Sequence, residues 1–254
     1  MARDEQSLQQ HVERGGKVAA PEEMSPGYRG EISRLLTVLA DSGLAAVAGF
    51  AGWVNRAPSL AGRQAMVRIV GEKLDHAGQV LELLRPFGVV PELYLQSYAW
   101  DSRIGRAIDL GLRRIPGDKR LNVFHYPLQG WEDALLVDLL VGQSLALQLR
   151  DLGGSSYVPL ASIIDAMAER EMALAMLAAP LLKAAVERPG GKATVQVALD
   201  YWYPRAAATF GRIESERFVV YRRYGLRKET NQALLTRWQG LISKALQGLD
   251  LGLA

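Results

Sequence analysis

The chain has 254 residues, 49% hydrophobic and 22% charged, with 30 basic side chains against 27 acidic ones, three histidines and no cysteine. No thiol means no disulfide, no thiolate metal site and no cysteine nucleophile, while near-balanced charge gives none of the basic field that nucleic acid binding requires. No unbroken apolar run reaches the roughly 18 to 20 residues of a membrane span, the cleanest being Gly43 to Val54, so a soluble cytoplasmic protein off the membrane is the expectation.

Residues 1–24 are polar, carry Gly15-Gly16 and hold no sustained period, which predicts a flexible N-terminal arm before one helical domain over 25–254. After Ser25-Pro26, Ile32, Leu35, Leu36, Leu39, Leu44, Val47 and Phe50 recur at three- and four-residue steps and predict a helix to about Asn55. Ser59 caps a second long helix through Val67, Val70, Leu74, Leu81 and Leu84, stopped by Pro86 and Gly88. Pro91 opens a third, through Tyr94, Tyr98 and Ile104 to about Leu112. A fourth spans about 131–149, and a fifth about 157–177, ending at Pro180. Shorter helices follow, broken at Pro189-Gly190-Gly191 and Pro204, with one short strand candidate at Phe218 to Tyr221 and a last helix over about 229–249 capped by Thr230 or Asn231. Long helices with short connections bury their apolar stripes against one another, so the fold class is all-α, a helix bundle.

Bundles of this kind can hold two metal ions on carboxylates and paired Glu-x-x-His steps, because a three-residue step puts both ligands on one helical face. The residues three before His11, His76 and His125 are Leu8, Lys73 and Asn122, so no Glu-x-x-His exists. Only His76 lies inside a long predicted helix, with Glu72 four residues earlier and Asp75 beside it, enough for one weak metal contact at Glu72 and His76 but not for a closed site. Phosphate-cradling and nucleophile-elbow motifs are absent. Of the basic side chains, 23 are Arg and 7 Lys, concentrated in Arg103 to Arg120 and Arg212 to Lys228, where they could face an anionic ligand, a partner subunit or solvent.

Several stretches run in a recognisable order: Tyr28-Arg29, Gly52-Trp53-Val54-Asn55-Arg56-Ala57-Pro58-Ser59-Leu60, Asp75-His76-Ala77-Gly78, Phe124-His125-Tyr126-Pro127 with Trp131, Ser156-Tyr157, Trp202-Tyr203-Pro204 and Phe210-Gly211. With the ending from Tyr224 to Leu251 they make the chain resemble the PaaA/PaaC family of phenylacetic acid catabolic proteins, nearer the catalytic PaaA type than the metal-free PaaC type. The resemblance implies a ferritin-like long-helix bundle with extra C-terminal helices, and in active members a di-iron centre that epoxidises an aromatic CoA thioester with partner subunits. Carried over by position, the ligand places hold Gly43, Lys73, His76, Gly142, Arg170 and Ala173, leaving His76 alone as a ligand.

Losing two metal ions leaves carboxylates unpaired, so deleted ligands and inserted cations form a consistent set. Asp138, one turn before Gly142, is the expected counter-charge for Lys73 and Arg170. The resulting expectation is a metal-free, non-catalytic subunit without a cofactor, working with aromatic acyl-CoA and either a second copy or Paa-type paralogues. The alternatives are an irregular di-iron monooxygenase on Glu72, His76, Asp138 and Glu169 or Glu171, and an unrelated helical interaction or regulatory protein on the same fold.

Overall fold

The structure is a computed structural model that describes residues 3–97 and 99–253. Helix α1 spans Glu5–Glu13 and is capped by Asp4, whose side chain accepts from the Ser7 N–H. It packs against α2 (Pro26–Ala51), which Ser25 caps through the Tyr28 N–H. The short α3 (Trp53–Arg56) leads to α4 (Leu60–Leu84), capped by Ser59 as the sequence predicts. After α5 (Pro91–Gln96) and an irregular segment come α6 (Trp131–Leu152), α7 (Val158–Val186), α8 (Gly191–Ala207), α9 (Glu216–Arg223) and α10 (Asn231–Ala245), the last capped by Thr230.

The layout is two antiparallel pairs joined face to face: α2 packs along α4, α6 along α7, and α4 meets α7 across the middle. Helices α8 and α10 cover the outer side of α6, so almost every residue of α6 from Trp131 to Leu152 is buried. This is the all-α, ferritin-like bundle with added C-terminal helices. Among the described residues no strand occurs, only an isolated bridge between Val18 and Tyr157.

Five local expectations change. The N-terminal stretch is a packed element rather than a flexible arm: Leu8 and Val18 are fully buried, and Val18 exchanges backbone bonds with Ser156 and Val158. Two apolar residues in a nine-residue helix, Leu8 and Val12, are too little signal for a period to reveal. The third predicted helix stops at Gln96 instead of Leu112, and Tyr98 lies outside the described residues. Beyond it, arginine side chains take the backbone carbonyls: Arg103 donates to Trp100 (2.7 Å) and Ala45 (2.9 Å), and Arg120 to Ala99 (3.2 Å) and Ser102 (3.2 Å). Gly111 and Gly117, at φ +49° and +81°, turn the chain where a helix would continue.

Helix α7 runs through Pro180, which lies on the exposed face, while Ala178 and Leu182 on the inner face stay buried and hold the helix together. Pro204 likewise sits inside α8, one turn from its end. The Phe218–Tyr221 stretch is helical, because Ser215 caps α9 through the Phe218 N–H and Glu216 and Arg222-Arg223 suit its two ends. By length and composition α2 with α3, Pro26–Arg56, is long and apolar enough to cross a membrane (mean hydropathy 1.6), although no single run signals it. In the bundle its Tyr28, Ile32, Leu36, Ala40 and Ala45 are core residues.

Candidate functional site

Where α4 meets α7, the three-residue step from Lys73 to His76 turns both side chains inward, and Glu171 meets them from α7. The Lys73 Nζ donates to Glu171 Oε2 at 2.8 Å, and His76 Nδ1 donates to Glu171 Oε1 at 3.0 Å. All three are buried, at 3%, 6% and 5% exposure. Asp138 reaches the same centre from α6 at 1% exposure, with neither carboxyl oxygen hydrogen-bonded, and His76 Nε2 is also without a partner.

Burial alone would neutralise these groups, yet the charges hold one another. Burial pulls the Lys73 ammonium down, but the Glu171 and Asp138 charges outweigh it and raise its pKa overall. Burial pushes Glu171 up, and Lys73 beside it with the His76 hydrogen bond brings it below the usual carboxylate range, to about 2. Asp138 lacks such help: burial raises it to about 7, with Lys73 opposing and Glu171 adding to the rise.

The two helix pairs repeat one geometry. A Cβ on Gly43 of α2 would stand 3.1 Å from the Ala77 Cβ and 3.6 Å from the Lys73 carbonyl on α4. A Cβ on Gly142 of α6 would stand 2.9 Å from the Ala175 Cβ and 3.6 Å from the Glu171 carbonyl on α7. Each glycine therefore faces residue i and residue i+4 of its neighbour, which makes Lys73 the counterpart of Glu171 and His76 the counterpart of Leu174. The glycines permit this close approach; a larger side chain at either place would push its pair apart.

That correspondence corrects the α7 register. The inward residues are Glu171 and Leu174, not Arg170 and Ala173, which are exposed; Arg170 reaches outward to Glu72 at 3.6 Å. The buried stripe Ile164, Met167, Ala168, Glu171, Leu174, Ala175 and Ala178 fixes the rotation. A one-residue slip is about 100° on a helix, and in an Ala-rich helix both registers look apolar. The hydrogen-bonded counter-ion of Lys73 is thus Glu171, while Asp138 acts on it through charge alone.

A pair of irons does not fit these donors. Glu171 already accepts from an ammonium and an imidazole, Lys73 brings a fixed positive charge to the centre, and among the described residues no three His, Asp or Glu side chains are grouped to hold a metal. Of the irregular set, His76, Asp138 and Glu171 meet at the centre, where Lys73 and His76 already hold Glu171, while Glu72 faces Arg170 and Glu169 is exposed.

A small cavity of about 50 Å³ lies against Ser42, Gly43, Lys73, His76 and Glu171. Its apolar wall of Val38, Leu39, Leu121, Leu145 and Leu149 is shared with a cleft of about 500 Å³ that opens to solvent. Both Arg-rich stretches meet there: Arg114 and Lys119 come from the first, Arg212, Arg217 and Arg227 from the second, joined by Arg34 of α2. Asp151 neutralises Arg227, and Glu31 serves Arg217 and Arg34. In contrast Arg103, Arg106 and Arg120 are structural; Arg106 clamps Asp133, which also accepts from Trp202.

The family profile described as phenylacetic acid catabolic protein, PaaA_PaaC, matches residues 9–253. No curated protein matches the chain.

Proposed function

Because the chain belongs to the phenylacetic acid catabolic protein (PaaA/PaaC) family, we propose that it is a metal-free, non-catalytic subunit of a multicomponent monooxygenase acting on aromatic CoA thioesters in the cytoplasm. The observation that carries this is the Lys73 ammonium, buried and hydrogen-bonded to Glu171 where a cation-binding centre would need free carboxylates. Its partners on this reading are Paa-type subunits, including the reductase, and its ligand is an aromatic acyl-CoA. The cleft supports that ligand: Arg212, Lys119 and Arg114 at the mouth suit phosphates, and the wall toward Leu145 and Leu149 suits an apolar acyl group.

Co-expression tests the reading. The tagged full chain, produced with the catalytic and reductase subunits of a phenylacetate system, should retain both through washing. It should also bind phenylacetyl-CoA in calorimetry, with affinity falling about tenfold or more in an Arg212→Ala/Lys119→Ala variant, as loss of two charge-assisted contacts implies. Purification of the chain alone, together with no heat of binding, would contradict it.

A further inference from the structure

Helix α4 has a second apolar face that the bundle does not use. Leu60, Val67 and Leu74 are 73%, 56% and 50% exposed, spaced by seven residues while Met66, Ile69, Lys73 and His76 face the core. Gln64 and Gly71 between them and Gly78 one turn beyond lie on the same side, completing the alternating four- and three-residue steps of a helix-pairing seam. A Cβ on Gly71 or Gly78 would meet nothing within 4 Å, so both glycines leave open notches.

The stripe is complementary to itself in reverse. Turned antiparallel on a two-fold axis, Leu60 falls opposite Gly78 of a second copy, Gln64 opposite its Leu74, and Val67 opposite its Gly71, so that each large residue but one meets a notch. Charge follows the same order: Arg63 and Arg68 flank the first half and Asp75 the second, where Glu72 is paired with Arg170 of its own chain. An antiparallel copy sets basic half against acidic half, whereas a parallel one would set Leu on Leu and Arg on Arg. Beside the seam, α7 presents the exposed Ala166, Ala173 and Met176, held next to α4 by the Arg170–Glu72 pair, which widens the face toward the area a specific interface needs.

We propose that the outer face of α4 is a two-fold interface with a second copy of this chain, a reading that rests on the protein's working as a subunit and names the surface it uses. The native chain has no cysteine, so introduced thiols report without background. In Leu60→Cys/Gly78→Cys the two thiols of one chain stand about 27 Å apart along the helix and can close a disulfide only between copies. Oxidation of this full-length variant should give a covalent dimer on a non-reducing gel, while Leu60→Cys alone should not. By light scattering the wild type should be dimeric at micromolar concentration, and Val67→Glu, on an exposed position, should weaken the dimer tenfold or more with unchanged helical circular dichroism. A monomeric wild type overturns the proposal. A dimer that ignores Val67→Glu and yields no cross-link overturns the surface while leaving the subunit reading intact, and that reading fails separately if Paa-type partners are not retained.

Discussion

Lys73, His76 and Glu171 stabilise one another only as a set, because any one of them buried alone carries an uncompensated charge or an open hydrogen bond. Replacing Lys73 by Met leaves Glu171 ionised with only the imidazole, and unfolding in urea should show a loss of about 3–5 kcal/mol. Removing both charges, in Lys73→Met/Glu171→Leu, should recover most of that loss, since a well-packed apolar pair is often as stable as a buried ion pair. Additive losses in the double variant would contradict the pairing. Asp138 gives the opposite kind of test. Its carboxyl stays protonated in the native state up to about pH 7 but ionises near pH 4 when unfolded, so ionisation favours the unfolded chain and this group lowers stability progressively between those values. Asp138→Asn should therefore gain on the wild type as pH rises from 4 to 7, read as urea midpoints at pH 5 and pH 8; parallel shifts at both would contradict a buried neutral carboxyl. Lys73 and His76 were legible in the sequence because a three-residue step on a long helix needs no tertiary information. Glu171 was legible only as an alternative to Glu169, because the alanines of α7 leave the helix's rotation open until α6 is packed against it.

The long helices declare themselves through spacing and caps: Ser59 holds the first turn that the sequence assigns to it, Thr230 rather than Asn231 caps the last helix, and Ser25 caps α2 where the pattern changes. What escaped were elements decided by tertiary contact. In the 99–120 segment Arg120 takes the Ala99 and Ser102 carbonyls from the far end while Arg103 ties the segment to Ala45 of α2, and α1 exists because Leu8 finds a pocket. Closeness within the two helix pairs rests on Gly43 and Gly142, and the notches differ in depth. Gly142→Ala would place its methyl 2.9 Å from that of Ala175 and should cost about 1–3 kcal/mol through overpacking. Gly30→Ala, on the same kind of helix but with nothing within 4 Å, should instead stabilise by about 0.5–1 kcal/mol. Thermal or urea unfolding of the two variants would show opposite signs; a matching gain in both would mean that α6 and α7 do not approach as closely as described.

Across the whole molecule the fold is the family's long-helix bundle, with a buried Lys–Glu–His cluster at its centre. The bundle, the α2/α4 and α6/α7 pairs and the cleft between the Arg-rich segments make a frame with an inner end and a mouth lined by cationic side chains. At the inner end an ion pair bridges the two halves of the bundle, joining α4 to α7 through Lys73 and Glu171, which is a bond between the pairs that needs no metal. The clustering of arginines was visible in the sequence, but that two distant stretches line one cleft was not, since Arg114 and Arg212 come to one cleft only in the folded chain. The claim that a Lys–Glu–His cluster has replaced the two-iron centre is tested most directly by metal analysis of the full chain purified from cells grown in iron-rich medium. Iron far below one atom per chain is the expected result; about two irons per chain would show that the centre holds metal after all.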